Sequence, residues 1–263
     1  MNDSFIITPD RILGLAQNYI SRYSVKINLT SENNVFFIKT DYIKEFAQII
    51  LPKINYKFIL LTHDSDFPIP GSAPEILDNP NLIMWLGMNV HQIHPKLKAI
   101  PIGMANEVWP HGDKKIVTKI IEENNPKTNL VYCNFDPNTN PEQRYPTIEK
   151  LKHLPFVDMD FDKQNYESYL RKVSKYKYII SPPGNSIDCH RVWESIYVNT
   201  IPICLKSIPM HYFKEGPILF VDEWNDLNEE LLNQSYEKIK SKPAGIGHLG
   251  FYINYINQLL ETH

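Results

Sequence analysis

The chain has 263 residues, enough for one large domain or two modest ones, and enough to bury a core without disulfides or structural metal. Forty-three per cent hydrophobic residues and a net charge of −3 exclude wholesale disorder, and the mixed charges give no basic face for nucleic acid. Cys133, Cys189 and Cys204 form no C-x-x-C pair, which excludes a disulfide framework or zinc ribbon and fits a reducing compartment.

Thr8 and Pro9 are the N-cap and first residue of a predicted helix over 9–23, its apolar face drawn from Ile12, Leu13, Leu15, Ala16, Tyr19 and Ile20. Apolar runs at 35–38, 58–61, 82–85 and 99–102 predict four strands, with a helix over 41–50. Lys114 and Lys115 read as the solvated start of another helix. Four further strand-like runs follow at 130–133, 178–180, 201–204 and 218–221, with helices over 164–175, 188–198 and 226–240. Runs without polar alternate positions belong to strands buried on both faces, as in a parallel sheet under helices. The alternation predicts a doubly wound α/β architecture. A polar break at 122–129 divides the chain into Rossmann-like domains over 1–125 and 126–245. An amphipathic helix over 250–260, in the segment 246–263, can pack on either half, the N-terminal one included. The N-terminus has no basic region before an apolar run, and no stretch reaches the roughly 18 apolar residues of a membrane span. The chain is therefore expected to be soluble and cytoplasmic.

The densest signal is S-P-P-G-N-S-I-D-C-H-R-V-W-E over 181–194. A strand ends at Ser181, a Pro-Gly-Asn turn follows, and Asp188 is expected to cap a helix whose first-turn N–H groups favour phosphate. In an open α/β sheet, ligands bind at the carboxyl ends of strands. Gly184 lets backbone approach a ligand, and Arg191, His190 and Glu194 share one side of the helix. Arg191 can grip a diphosphate with its planar fork, and Glu194 can accept from ribose hydroxyls. The plainer alternative is a surface Arg191–Glu194 pair beside an ordinary turn.

The same residues, followed by T-I-P-I over 200–203, resemble the C-terminal signature of exostosin-like glycosyltransferases. The resemblance extends to L-T-H-D-S-D over 61–66, P-I-G-M-A-N over 101–106 and W-P-H-G over 109–112. It is strongest to small soluble members of bacteria and large DNA viruses. The resemblance implies a GT-B-like fold, two Rossmann-like domains facing across a cleft, with acceptor on the first and nucleotide-sugar on the second. It implies that Arg191 contacts the donor diphosphate and Glu194 the ribose, and that Ser181, Pro183, Gly184 and Asn185 line the donor pocket with Asp188 and His190. Asn134 would begin the first donor-domain loop. Arg144 is a second phosphate candidate, or a solvated charge at a helix start.

Inverting transfer needs a base for the acceptor hydroxyl. Asp66, at the carboxyl end of a buried strand, is the first candidate, followed by Asp64 and His63. Read as metal ligands, His63, Asp64 and Asp66, with His91 and His94 as further donors, would instead suit a metal-dependent hydrolase. A non-catalytic glycan-binding module is the other alternative. Trp85, Trp109, Tyr145 and Tyr212 either stack on sugars or belong to the core. The expected function is transfer of a sugar from a nucleotide-diphosphate-sugar donor to a glycan or glycoconjugate hydroxyl, inverting and without metal or other cofactor.

Overall fold

The computed structural model describes residues 3–32 and 34–263. It carries two α/β sheets with helices on their faces, the doubly wound two-sheet architecture expected. Thr8 accepts from the Arg11 N–H and caps a short helix, α1 (Pro9–Leu13), which stops at Gly14. The helix predicted to run through residue 23 gives way to β1 (Asn18–Ile20), paired parallel with β3 (Val35–Lys39) and antiparallel with the exposed edge strand β2 (Val25–Lys26). Gln17 makes the switch, its N–H donating to the Val35 carbonyl and its side-chain oxygen accepting from the Val35 N–H. Pairing to a buried strand thus overrides a local helical pattern.

A helical segment follows, comprising a 3-10 turn, α2 (Ile43–Glu45) and a wide π turn over Phe46–Ile50. Then come β4 (Phe58–His63), β5 (Leu82–Gly87) and β6 (Leu97–Ala99). Their order is β2-β1-β3-β4-β5-β6, parallel from β1 onward. The last strand was expected over 99–102, but the chain leaves the sheet after Ala99. Gly103 adopts φ +66°, and a Cβ there would lie 2.3 Å from the Ile7 carbonyl oxygen, so only glycine fits.

Helix α3 (Lys114–Glu123) packs on α5 (Tyr166–Val173), and ion pairs Lys119–Glu167 and Arg171–Glu123 join the two. Lys114 is buried and pairs with Glu107, contrary to the solvated start expected. The second sheet comprises β7 (Asn129–Cys133), β8 (Val157–Met159), β9 (Tyr176–Ile180), β10 (Ile201–Leu205) and β11 (Leu219–Val221), all parallel in the order β11-β10-β9-β7-β8. Its helices are α4 (Pro141–Leu151), α5, α6 (His190–Tyr197), α7 (Ile208–His211) and α8 (Glu229–Lys240).

The final helix, α9 (Leu249–Thr262), places Leu249, Tyr252 and Ile256 against Ile7, Phe37 and Leu61 of the first half. A separate core cluster runs from Phe36 and Leu60 to Trp193 and Tyr132, so the two sheets share one apolar interior. Trp85 belongs to it, its indole N–H donating to Thr62 Oγ1 at 2.9 Å. Among the described residues no helix is long and apolar enough to cross a membrane.

Candidate functional site

Beyond Ile180 the chain leaves β9 as a loop that returns at α6. The Ser181 N–H still donates to the Ile203 carbonyl, and Asn140 Nδ2 donates to the Gly184 carbonyl at 2.8 Å. Cys189, not Asp188, occupies the cap position of α6, and no side chain caps the helix. The physical reason is that the Asp188 carboxylate is engaged elsewhere. Its Oδ2 accepts from the Ile102 N–H at 2.8 Å and its Oδ1 from the Trp193 indole at 2.6 Å. Burial pushes this carboxyl up to about 7. His190 Nδ1 lies 2.7 Å from the Gly103 carbonyl, which can only accept, so Nδ1 carries the proton. Both side chains therefore fasten the start of α6 to the loop after β6.

Where the two halves meet lies a cleft of about 1090 Å³. Asn134, Arg144, Gly184, Asn185, Arg191 and Glu194 line it from the second half, and Asp66 and Ile102 from the first. Arg144 is buried: its Nε donates to the Pro183 carbonyl at 2.9 Å and its Nη1 to the Asp136 carbonyl at 2.7 Å. Arg191 Nε donates to the Asn134 carbonyl at 3.0 Å. Both guanidiniums lie over the ring of Phe135, 5.4 and 5.5 Å from its centre. Among the described residues neither arginine closes an ion pair, and Arg191 Nη1 is buried with no partner. Burial, and then the neighbouring Arg191, lowers Arg144 to about 10. Two like charges on one ring, short of hydrogen-bond acceptors, make a strongly anion-seeking wall. Glu194, one turn further along α6, is buried and pushed up to about 7, with Arg191 opposing that rise.

Ser181 and Pro183 do not reach this cleft. With Gly184 and Asn185 they line an adjoining cavity of about 480 Å³, where His91 also lies. A third cavity, about 530 Å³, opens against the end of β4 and is lined by Arg22, Lys39, Asp41, His63 and Asp64 among others. Asp66 borders all three spaces.

The three residues read as alternative bases or joint metal ligands diverge. His63 is fully buried, with Nε2 donating to the Pro101 carbonyl at 2.9 Å and Nδ1 shut in without a partner. Burial lowers it to about 4, so it is neutral. Asp64 takes φ +61° and turns toward Arg22 Nε at 3.7 Å, with burial raising its pKa. Asp66 is exposed. His94 Nδ1 accepts from the Lys96 N–H instead of joining them. Among the described residues, no three His, Cys, Asp or Glu side chains gather in a way that could hold a metal ion.

Phe135, the platform itself, and the tyrosines Tyr166 and Tyr169, which line the cleft beyond Arg191, are not among the residues expected there. A tyrosine pair three apart on a helix is a visible signal, but which wall it faces depends on how α5 packs. Trp109 and Tyr145 are exposed outside the cleft lining, and Tyr212 donates to the Gln92 carbonyl at 2.8 Å.

No family model and no curated protein matches this sequence. Solved structures resemble the fold at low similarity. The pneumococcal O-GlcNAc transferase GtfA, in complex with UDP and GlcNAc, is 11% identical over 87% of this chain and 53% of its own, with a TM-score of 0.35. HepE from Anabaena, in complex with UDP and glucose, is 11% identical over 88% and 78%, with a TM-score of 0.44. The UDP-GlcNAc 2-epimerase of Methanocaldococcus jannaschii is 11% identical over 88% and 78%, with a TM-score of 0.39. The chain thus spans about half the length of GtfA.

Proposed function

We propose that this protein is a glycosyltransferase that takes a sugar from a nucleoside-diphosphate donor and passes it to a glycan or glycoconjugate hydroxyl. The observation that carries this reading is the pair of guanidiniums, Arg144 and Arg191, set over Phe135 in a cleft of about 1090 Å³ with, among the described residues, no carboxylate in an ion pair with either. A diphosphate relieves their mutual repulsion and supplies the acceptors that Arg191 Nη1 lacks. Glu194 stands one helical turn away, where vicinal ribose hydroxyls can donate to it. The cleft has the size and mixed lining of a small-molecule site. The resemblance of residues 181–194 to exostosin-like transferases points the same way.

The neighbouring cavity of about 530 Å³ offers the acceptor a wall of both signs, Asp41 and Asp64 with Lys39 and Arg22. Such a wall suits a neutral, hydroxyl-rich sugar, since each paired ion keeps free hydrogen-bonding capacity. In the reaction the acceptor oxygen attacks the sugar carbon, and the bond to the diphosphate breaks with its electrons leaving on phosphate. The two arginines neutralise that developing charge, a role otherwise filled by a divalent cation. Attack from the acceptor side, opposite the leaving diphosphate, inverts the anomeric centre.

Calorimetric titration against UDP-, GDP-, dTDP- and CMP-linked sugars tests the reading, the CMP compounds serving as single-phosphate controls. At least one diphosphate sugar is expected to bind. Arg191→Ala is expected to weaken it about 10- to 100-fold, the cost of one charged hydrogen-bonding group. Affinity unchanged in Arg191→Ala, or no binding by the wild type, would overturn the assignment.

A further inference from the structure

Ile102, Asp66 and His190 line both the guanidinium cleft and the cavity at the end of β4. Accepting the transferase reading above, which places donor in one space and acceptor in the other, the group that takes the acceptor proton must stand on this shared wall. Among the described residues, only Asp66 and His190 there can accept one.

We infer that His190 Nε2 is the proton acceptor of the reaction and that Asp66 is a positioning residue that stabilises the imidazolium. His190 is held by its Nδ1–H on the Gly103 carbonyl at 2.7 Å, which fixes the tautomer and leaves Nε2 as a lone pair. Among the described residues Nε2 has no hydrogen-bond partner, and it is not one of the polar atoms sealed from solvent. His63 is the contrasting case. Its bond to Pro101 leaves Nδ1 free, but that atom is sealed away and unavailable to a hydroxyl. Asp66 is exposed, whereas His190 is held in place by its bond to Gly103. This differs from the expectation that Asp66 is the base and His190 a donor-pocket residue.

The charged and titratable groups facing the imidazole are Asp66 and His63 from the β4 end, His111 from the loop before α3, and Arg191 from α6 itself. Burial, then His111 and Arg191, lower the His190 pKa, while the bond to Gly103 and the charge of Asp66 oppose them. The step balances: the acceptor O–H bond breaks, its proton moves to Nε2, and its oxygen bonds to the sugar carbon. The imidazolium then releases the proton to water as the diphosphate leaves. The same base can activate water, so release of UDP from UDP-glucose measures it without a known acceptor.

The test measures UDP binding and UDP release from UDP-glucose between pH 5 and 9 in three proteins. The wild type is expected to lose rate as pH falls through the His190 pKa, below the ordinary imidazole value of 6.5. His190→Gln is expected to bind UDP normally, lose about 10²- to 10⁴-fold in release, and lose that acid limb. Asp66→Asn is expected to slow release several-fold, far less than His190→Gln, while its acid limb moves to lower pH, because removing the carboxylate makes the imidazole easier to deprotonate. Release abolished in Asp66→Asn but retained in His190→Gln would overturn the assignment. Should another diphosphate sugar of the titration panel bind in place of UDP-glucose, the same three proteins are assayed with it; absence of binding by every diphosphate sugar in the wild type would remove the transferase reading itself, and this assignment with it. Because His190 also holds Gly103, nitrogen-15 spectra of the wild-type histidines give a second measure that needs no variant to fold. A protonated Nδ1 and bare Nε2 on His190 at pH 8 are expected, and the opposite tautomer would contradict the inference.

Discussion

Arg144 and Arg191 come from different helices and are aimed by backbone carbonyls, not by acids: Pro183 and Asp136 for one, Asn134 for the other. Holding a guanidinium with carbonyls fixes its direction while leaving its charge unspent. Gly184 takes part in this aim, because a Cβ there would lie 3.0 Å from Arg144 Nη2 and the nearest other contact is 3.9 Å away. That atom is the end of a side chain and can move. Gly184→Ala is therefore expected to leave the melting temperature within a few degrees of wild type while weakening the diphosphate-sugar several-fold, read by calorimetry. Unchanged affinity would show that Arg144 does not need its present position. Glu194 gives a second residue-scale expectation. Its carboxyl is raised to about 7 in the folded protein against an ordinary 4.5, so the fold holds the proton more tightly than the unfolded chain. The stability this contributes is present at low pH and is lost as pH rises from about 4.5 through 7. Glu194→Gln does not titrate, so relative to wild type it is expected to gain on the order of 2 kcal/mol between pH 5 and pH 8, measured by urea denaturation.

At the scale of elements, the start of α6 is fastened to the first half by two side chains of one short segment. Asp188 serves the Ile102 N–H and the Trp193 indole together, and His190 serves Gly103. Asp188→Ala strands two buried donors and is expected to cost about 2–4 kcal/mol of stability, with Asp188→Asn milder because one acceptor oxygen survives. A loss below the error of denaturant unfolding would mean that water replaces the carboxylate. The segment was legible as a strand, loop and helix with ligand-binding chemistry, but the division of labour within it was not. An aspartate before a helix reads as its cap from spacing alone; that it reaches Ile102 instead follows from the loop after β6 arriving there. The same limit hid Phe135. Nothing local to residues 134–136 marks a ring as a platform, since its role exists only once α4 and α6 bring their arginines over it.

For the whole molecule, the doubly buried strands were the most legible feature, because β3, β4 and β10 each carry at least four consecutive apolar residues, the pattern of strands covered on both faces. Short edge strands were not legible: β2 is two exposed residues, and β8 is three residues with Asp158 exposed at its centre, too short to show a pattern. The helix predicted to end at residue 23 failed for a long-range reason, the pairing of β1 with β3. Integrity across the halves depends on the shared core and on the return of α9. Tyr197 links the two, its hydroxyl accepting from the Ile7 N–H and donating to the Gly247 carbonyl. Tyr252 is buried against the first sheet. Tyr252→Ala is expected to cost about 3–5 kcal/mol in one cooperative unfolding transition. A two-step transition would instead mean that α9 and the first sheet unfold apart from the second.

The central claim is that a nucleoside diphosphate sits between Arg144 and Arg191. A crystal structure with a diphosphate sugar from the titration panel tests it most directly. The account predicts both phosphates within hydrogen-bond distance of the two guanidiniums, beside Phe135, with the ribose hydroxyls at Glu194 and the sugar directed toward His190. A ligand bound elsewhere, or the guanidiniums untouched at saturating nucleotide, would contradict it.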